Sequence, residues 1–219
     1  MPKKPLTIPI LQNEAKAFAH VESTFPEPAL YGVTDGKAVG TYVEHKFKAY
    51  LDTKYTFETG NAASGIDLPN LEVDIKVTSI VQPQSSCPFK SARQKIFGLG
   101  YSLLVFVYSK TDDPVAQTGT LDMQHTHFVA SSRTADNQTT RGLIRLLENG
   151  ANQEDLVAFM HERNLPLDDI EANAIADELL GGQELLEGYL TISNALQWRL
   201  QYGRVIAEAG NVNGIIRVR

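Results

Sequence analysis

Between Lys37 and Leu51 the apolar residues Val39, Val43, Phe47 and Leu51 recur at every fourth position, the spacing of one helix face, with Gly36 ahead of the run. The spacing predicts an amphipathic helix on which Glu44, directly after Val43, lies at the edge of the buried stripe. Farther along the period changes to two. Val73, Ile75 and Val77 alternate with Glu72, Asp74, Lys76 and Thr78, which predicts a strand with one apolar and one polar face. Pro69-Asn70 is a turn signal, so Ile66-Asp67-Leu68 reads as a shorter strand leading into it. Leu103 to Tyr108 is apolar without a break, the pattern of a central strand covered on both faces, and a further strand is expected around Thr126 to Ala130.

From Thr139 the period returns to that of a helix. Three apolar groups (Leu143 to Leu147, Leu156 to Met160, Ile170 to Leu180) are separated by Asn-Gly, Asn-Leu-Pro and Gly-Gly breaks. Leu185 to Ile206 reads as one longer helical stretch carrying Leu190, Leu196, Trp198 and Leu200, and Ile215 to Arg219 as a closing basic strand. The Pro-punctuated first 35 residues, with Leu6, Ile8 and Ile10 alternating and a short helix around Asn13 to His20, read as an arm or edge rather than core. Tyr55 to Phe57 is β-prone, and Gly60 to Gly65 is a loop of small residues. Ser91 to Phe97 is a short helix, with Ser91 as N-cap and Gln94 as its box partner, stopped by Gly98 and Gly100. The sum is an α/β (α+β) chain with a mixed central sheet flanked by helices. The expected organisation is a single domain, 1–219, with a core at 36–138, an inserted helical subdomain at 139–182, and a helix and strand at 183–219 completing the core or a dimer interface.

With 219 residues, 42% of them hydrophobic, the chain can bury a sizeable core. One cysteine, Cys87, excludes a disulfide scaffold; with no spanning apolar run and no signal-peptide pattern, a cytoplasmic protein is expected. The net charge of -6 first argues against a phosphate-rich partner, but its distribution reverses that. Glu148 to Glu187 holds eleven carboxylates against Arg163 alone, so the remainder carries +4. Val77 to Lys110 contains Lys90, Arg93, Lys95 and Lys110 and no carboxylate side chain, which predicts a surface facing an anion.

Folding the two strands around Pro69-Asn70 would gather Asp67, Asp74 and Lys76 at one edge. Two carboxylates with waters and a substrate phosphate suit Mg2+, which polarises a phosphate and acidifies bound water. A nearby ammonium can orient that water and offset transition-state charge, and Glu44 could serve as a further ligand or orient a metal-bound water. Glu72 lies on the same predicted face and could share the role of Asp74.

These residues resemble the PD-(D/E)xK nucleases, and among them the type II restriction endonucleases. The matching pieces are Gly40-Thr41-Tyr42-Val43-Glu44, Gly65-Ile66-Asp67 and Val73-Asp74-Ile75-Lys76, within a region of about Lys37 to Lys110. The resemblance implies a restriction-endonuclease-like core with Asp67 and Asp74 as metal ligands, joined by the Ile75 carbonyl, Lys76 as catalytic lysine and Glu44 as auxiliary acid. It further implies Mg2+-dependent double-strand cleavage of duplex DNA at a short palindrome, a homodimer, and a cognate DNA methyltransferase in the same system. Two positions depart from the motif, with Ile66 where Pro is usual and Asp74 where Glu is commoner. Gln82, Gln84, Ser85, Ser86, Lys90 and Arg93, just after the strand, have side chains able to contact DNA, and Gln124 to His127 with Ser131 to Arg133 form a second such region. The rival readings are a structure-selective repair, recombination or phage nuclease of the same fold, and a non-catalytic DNA-binding or interaction protein. His125 and His127 read as an ordinary pair without a third ligand, and Cys87 and Trp198 as packing residues.

Overall fold

The computed structural model describes residues 3–60, 65–87, 90–193 and 198–219. In chain order the elements are β1 (Lys4–Pro5), α1 (Ile8–Glu22), β2 (Pro26–Glu27), α2 (Gly36–Asp52), β3 (Tyr55–Thr56), β4 (Val73–Ser79), β5 (Gln84–Cys87) and α3 (Arg93–Phe97). They continue as β6 (Ser102–Asp113), β7 (Thr118–Val129), α4 (Asn137–Glu148), α5 (Gln153–Glu162), α6 (Asp169–Leu180), β8 (Thr191–Ile192), β9 (Trp198–Gln201), α7 (Gly203–Glu208) and β10 (Ile215–Arg217). The main sheet runs β10-β7-β6-β4, with β4 parallel to β6 and the other neighbours antiparallel, so the fold is α+β with a mixed sheet. A smaller sheet has the order β5-β9-β8.

The unbroken apolar run of β6 places it between β4 and β7, covered on both faces. Leu104, Phe106 and Tyr108 meet α1 and α2, while Leu103, Val105 and Val107 meet the small sheet and α7. Phe18 of α1, Phe47 of α2 and Phe106 of β6 lie 5.0 to 5.8 Å apart between ring centroids, so both helices are seated on the central strand by one aromatic cluster. Burying each such ring stabilises the fold by about 2–3 kcal/mol. Ile96 of α3 packs with Leu143, Leu156, Met160 and Ile175 of α4 to α6 in a separate apolar cluster. Asp136 ties this segment to the small sheet: Oδ2 accepts from the Thr139 amide at 2.9 Å, capping α4, and Oδ1 accepts from the Ile192 amide at 2.8 Å.

Four local expectations are corrected. The N-terminal segment is not an arm: Leu11, Ala15, Phe18 and Ala19 form the buried stripe of α1, and Pro9 sits in the first turn, where its missing N–H costs nothing. Leu185 to Ile206 is not one helix, because Leu190 and Ile192, then Trp198, Leu200 and Tyr202, are buried at a spacing of two and form β8, β9 and the entry to α7; Leu196 lies outside the described residues. Asp67 precedes β4 without a strand of its own, the turn being a short 3-10 segment, Pro69–Leu71, closed by a single bridge between Leu68 and Val73. Ser91 Oγ does accept from the Arg93 amide, but Gln94 donates to the Leu99 carbonyl instead of closing a capping box. The small-residue loop at 61–64 also lies outside the described residues.

Candidate active site

Helix α2 carries Glu44 and Lys48 one turn apart, on the side facing β4 and the turn before it. Lys48 Nζ lies 2.7 Å from Glu44 Oε1 and 2.5 Å from Asp67 Oδ1. The other oxygen of Asp67 accepts a hydrogen bond from the Ile75 amide at 2.9 Å, which fixes the carboxylate against the backbone of β4. On β4 itself, the period-two alternation puts Val73 and Ile75 into the helix-facing core and Asp74 and Lys76 on the other side. Asp74 is 4% exposed, with Lys76 Nζ 2.6 Å from its Oδ2.

Burial pushes the Asp74 carboxyl up to about 7, and the neighbouring Asp67 adds to the rise against the pull of Lys76. Asp67 itself is held low: burial opposes this, but hydrogen bonds from Asp74, Lys48 and the Ile75 amide outweigh it. Glu44 is raised by burial and by the charge of Asp67, against Lys48. Three carboxyl groups and two ammonium groups thus converge, and adjacent carboxylates such as Asp67 and Asp74 repel unless a proton or cation lies between them. Glu72 is not part of this set. It takes a left-handed backbone conformation (φ 52°) at the end of the 3-10 segment, and its side chain is exposed.

Among the described residues no three His, Cys, Asp or Glu side chains are grouped to hold a metal by themselves. The donor set fits a hard cation of the open kind: two carboxylates and the Ile75 carbonyl, all oxygen, with the remaining positions left to water and substrate. Beside it is a cleft of about 620 Å³. Glu44, Ile75 and Lys76 line one part, Gln82, Gln84, Ser85 and Ser86 another, and Lys37 and Arg199 add positive charge.

The expected DNA-contacting residues divide. Gln82, Gln84, Ser85 and Ser86 reach the cleft. The Ser85 hydroxyl is engaged with the Tyr202 hydroxyl at 2.5 Å. Lys90 is exposed outside the cleft, and Arg93 pairs with Glu178 of α6. Of the cations in the predicted anion-facing run from Val77 to Lys110, Arg93 and Lys110 are thus paired, the latter with Asp112, and Lys95 is buried near the Trp198 ring. In the second region His127 is buried and pushed down to about 4 by desolvation, and Arg133 donates to the carbonyls of Asn213 and Glu187. Cys87 and Trp198 pack in the core as expected. Sequence reasoning missed Lys48, whose signal was its i,i+4 spacing from Glu44. It also missed Arg199, which carried no local signal.

A family model described as type II restriction enzyme NspV matches residues 5–217. The chain is 62% identical over 213 residues to the type II restriction enzyme NspV from Nostoc sp., covering 97% of this chain and 96% of that protein. No solved structure matches. An alignment spanning almost the whole of both proteins at that identity leaves one conclusion: the chain belongs to the NspV family of type II restriction enzymes.

Proposed function

We propose that this protein cuts both strands of duplex DNA at a short palindromic sequence, with a divalent cation, Mg2+, held by Asp67, Asp74 and the Ile75 carbonyl. Family membership makes it a site-specific deoxyribonuclease acting on DNA. One observation carries the chemical reading: Asp74 is buried beside Asp67 and Lys76, next to the cleft that Ile75 and Lys76 line, and its charge there is costly unless a cation offsets it. When bound, the cation would polarise the scissile phosphate and stabilise the charge that builds up on it. Lys76 orients the water that attacks phosphorus as one P–O ester bond breaks, and its ammonium offsets transition-state charge. Glu44 is the auxiliary acid that orients water at the site.

A homodimer follows from the same reading. One active centre cuts one phosphodiester, and two copies related by a two-fold axis meet a palindrome symmetrically. A cognate DNA methyltransferase would protect the host's own sites.

The test is digestion of several plasmids and phage DNAs in Mg2+ and in EDTA, beside Asp74→Ala and Lys76→Ala. Discrete fragments that disappear with EDTA and with either variant support the proposal. Fragments that persist with both variants would remove these residues from the chemistry. Absence of cutting by folded wild type in Mg2+ or Mn2+ would overturn the reading and favour a structure-selective or non-catalytic role.

A further inference from the structure

We propose that the paired strands β5 and β9 present the base-reading face of this enzyme, with Arg199 and Gln201 as specificity residues beside Gln84 and Ser86. The inference rests on the DNA-cutting reading of the cleft.

The antiparallel register sets Gln84 opposite Gln201 and Ser86 opposite Arg199. Residues directly opposite each other in such a pair share a face. The alternate positions Cys87, Trp198 and Leu200 are buried, so the four polar side chains form the outward face of a ribbon whose back is embedded in the core. Gln84, Ser86 and Arg199 line the same cleft as Glu44 and Lys76. The ribbon is also tied to the catalytic strand. Thr78 of β4, on the same strand face as Lys76, accepts from the Gln84 amide at 3.0 Å and donates to the Gln84 carbonyl at 2.9 Å. A base read at Gln84 or Arg199 is thereby held at a set distance from the phosphate to be cut.

The chemistry of this face is that of major-groove readout. Glutamine can bond both edge atoms of adenine, and arginine both acceptors of guanine. Arg199 donates through Nη1 to Ser86 Oγ at 3.1 Å, which steadies the guanidinium, and no carboxylate pairs with it among the described residues.

The experiment first maps the wild-type site from the ends of digestion fragments. It then measures kcat/KM for wild type, Arg199→Lys and Gln201→Ala on a duplex carrying that site and on duplexes with each base pair replaced in turn. Lysine keeps the charge and loses the fork, so Arg199→Lys separates base reading from a phosphate contact. The expected result is a loss of about 10- to 100-fold on the mapped site for each variant, with near-wild-type rates on duplexes altered at one position, so that discrimination collapses there alone. Thermal midpoints should stay at the wild-type value. Full rates with full discrimination in both variants would overturn the inference while leaving the active site intact. Equal weakening on every duplex would also overturn it, by reducing the ribbon to a phosphate contact. A wild type that cuts no DNA would remove the reading of the active site and this inference with it.

Discussion

Lys48 Nζ stands 2.5 Å from Asp67 Oδ1, and the ammonium that makes this contact is held by Glu44 one helical turn away. Asp67 is therefore positioned by two elements at once: its first oxygen by α2, its second by the Ile75 amide of β4. Lys48 supplies positive charge to a carboxylate that the proposed cation would also use. Lys48→Met should lower stability in EDTA by about 1–3 kcal/mol, the worth of a hydrogen bond to a charged group. Mg2+ should then raise the thermal midpoint more in the variant than in wild type, because ligand binding to the folded state stabilises by mass action. An identical Mg2+ response in the two proteins would show that Lys48 does not oppose the cation.

Glu72 and Asp74 were equivalent on strand alternation, and their backbones now separate them. Glu72 sits at φ 52° with an exposed side chain, a conformation that costs a non-glycine residue about 1 kcal/mol. Glu72→Gly should retain wild-type cleavage and stability, whereas Asp74→Asn should fold and lose cleavage. Loss of cutting in Glu72→Gly, measured on plasmid DNA, would make Glu72 the second acid.

The first helix has a pH-dependent anchor. Glu14 accepts from the Tyr50 hydroxyl at 2.5 Å, Lys54 Nζ at 2.7 Å and the Tyr55 hydroxyl at 2.6 Å. Burial alone would raise its pKa, but these donors outweigh it and lower the carboxyl to about 2 from 4.5. A lowered folded-state pKa gives stability that is fully present above 4.5 and lost as pH falls toward 2. Urea unfolding should find Glu14→Gln less stable than wild type by about 1–3 kcal/mol at pH 7, with the gap closing between pH 4.5 and 2. A gap independent of pH would point to packing instead.

Gly188 marks where the chain returns from the acidic helices to the core. A Cβ built there would lie 2.2 Å from the Ala135 carbonyl oxygen, and its own amide and carbonyl are used by Thr140 and Asn137. Gly188→Ala should cost about 1–3 kcal/mol through overpacking against backbone that cannot swing aside. Gly203, whose Cβ would meet nothing within 4 Å, is the control: Gly203→Ala should leave the melting midpoint unchanged or slightly raised. Equal effects of the two substitutions would show that the contact at Ala135 relaxes.

What the sequence determined by itself was local and periodic. Val39, Val43, Phe47 and Leu51 defined α2, the alternation from Val73 to Thr78 defined β4, and the unbroken run at Leu103 defined β6, because burial selects side chains at the repeat of each element. Asp67, Asp74 and Lys76 were legible for the same reason: a tight turn joins neighbours in the chain, so their proximity needs little long-range information. The β9 strand offered only four residues of alternation, too few to outweigh a helical reading of Leu190, Leu196, Trp198 and Leu200. Its identity depended on pairing with β5, more than a hundred residues away, which also brought Arg199 beside Ser86. The fate of Arg93 was likewise outside the carboxylate-free window, since Glu178 answers it from another part of the chain, whereas Lys110 pairs with Asp112 just past the window on the same strand. Periodicity is written residue by residue, whereas strand register and charge pairing are decided only when distant segments close on one core.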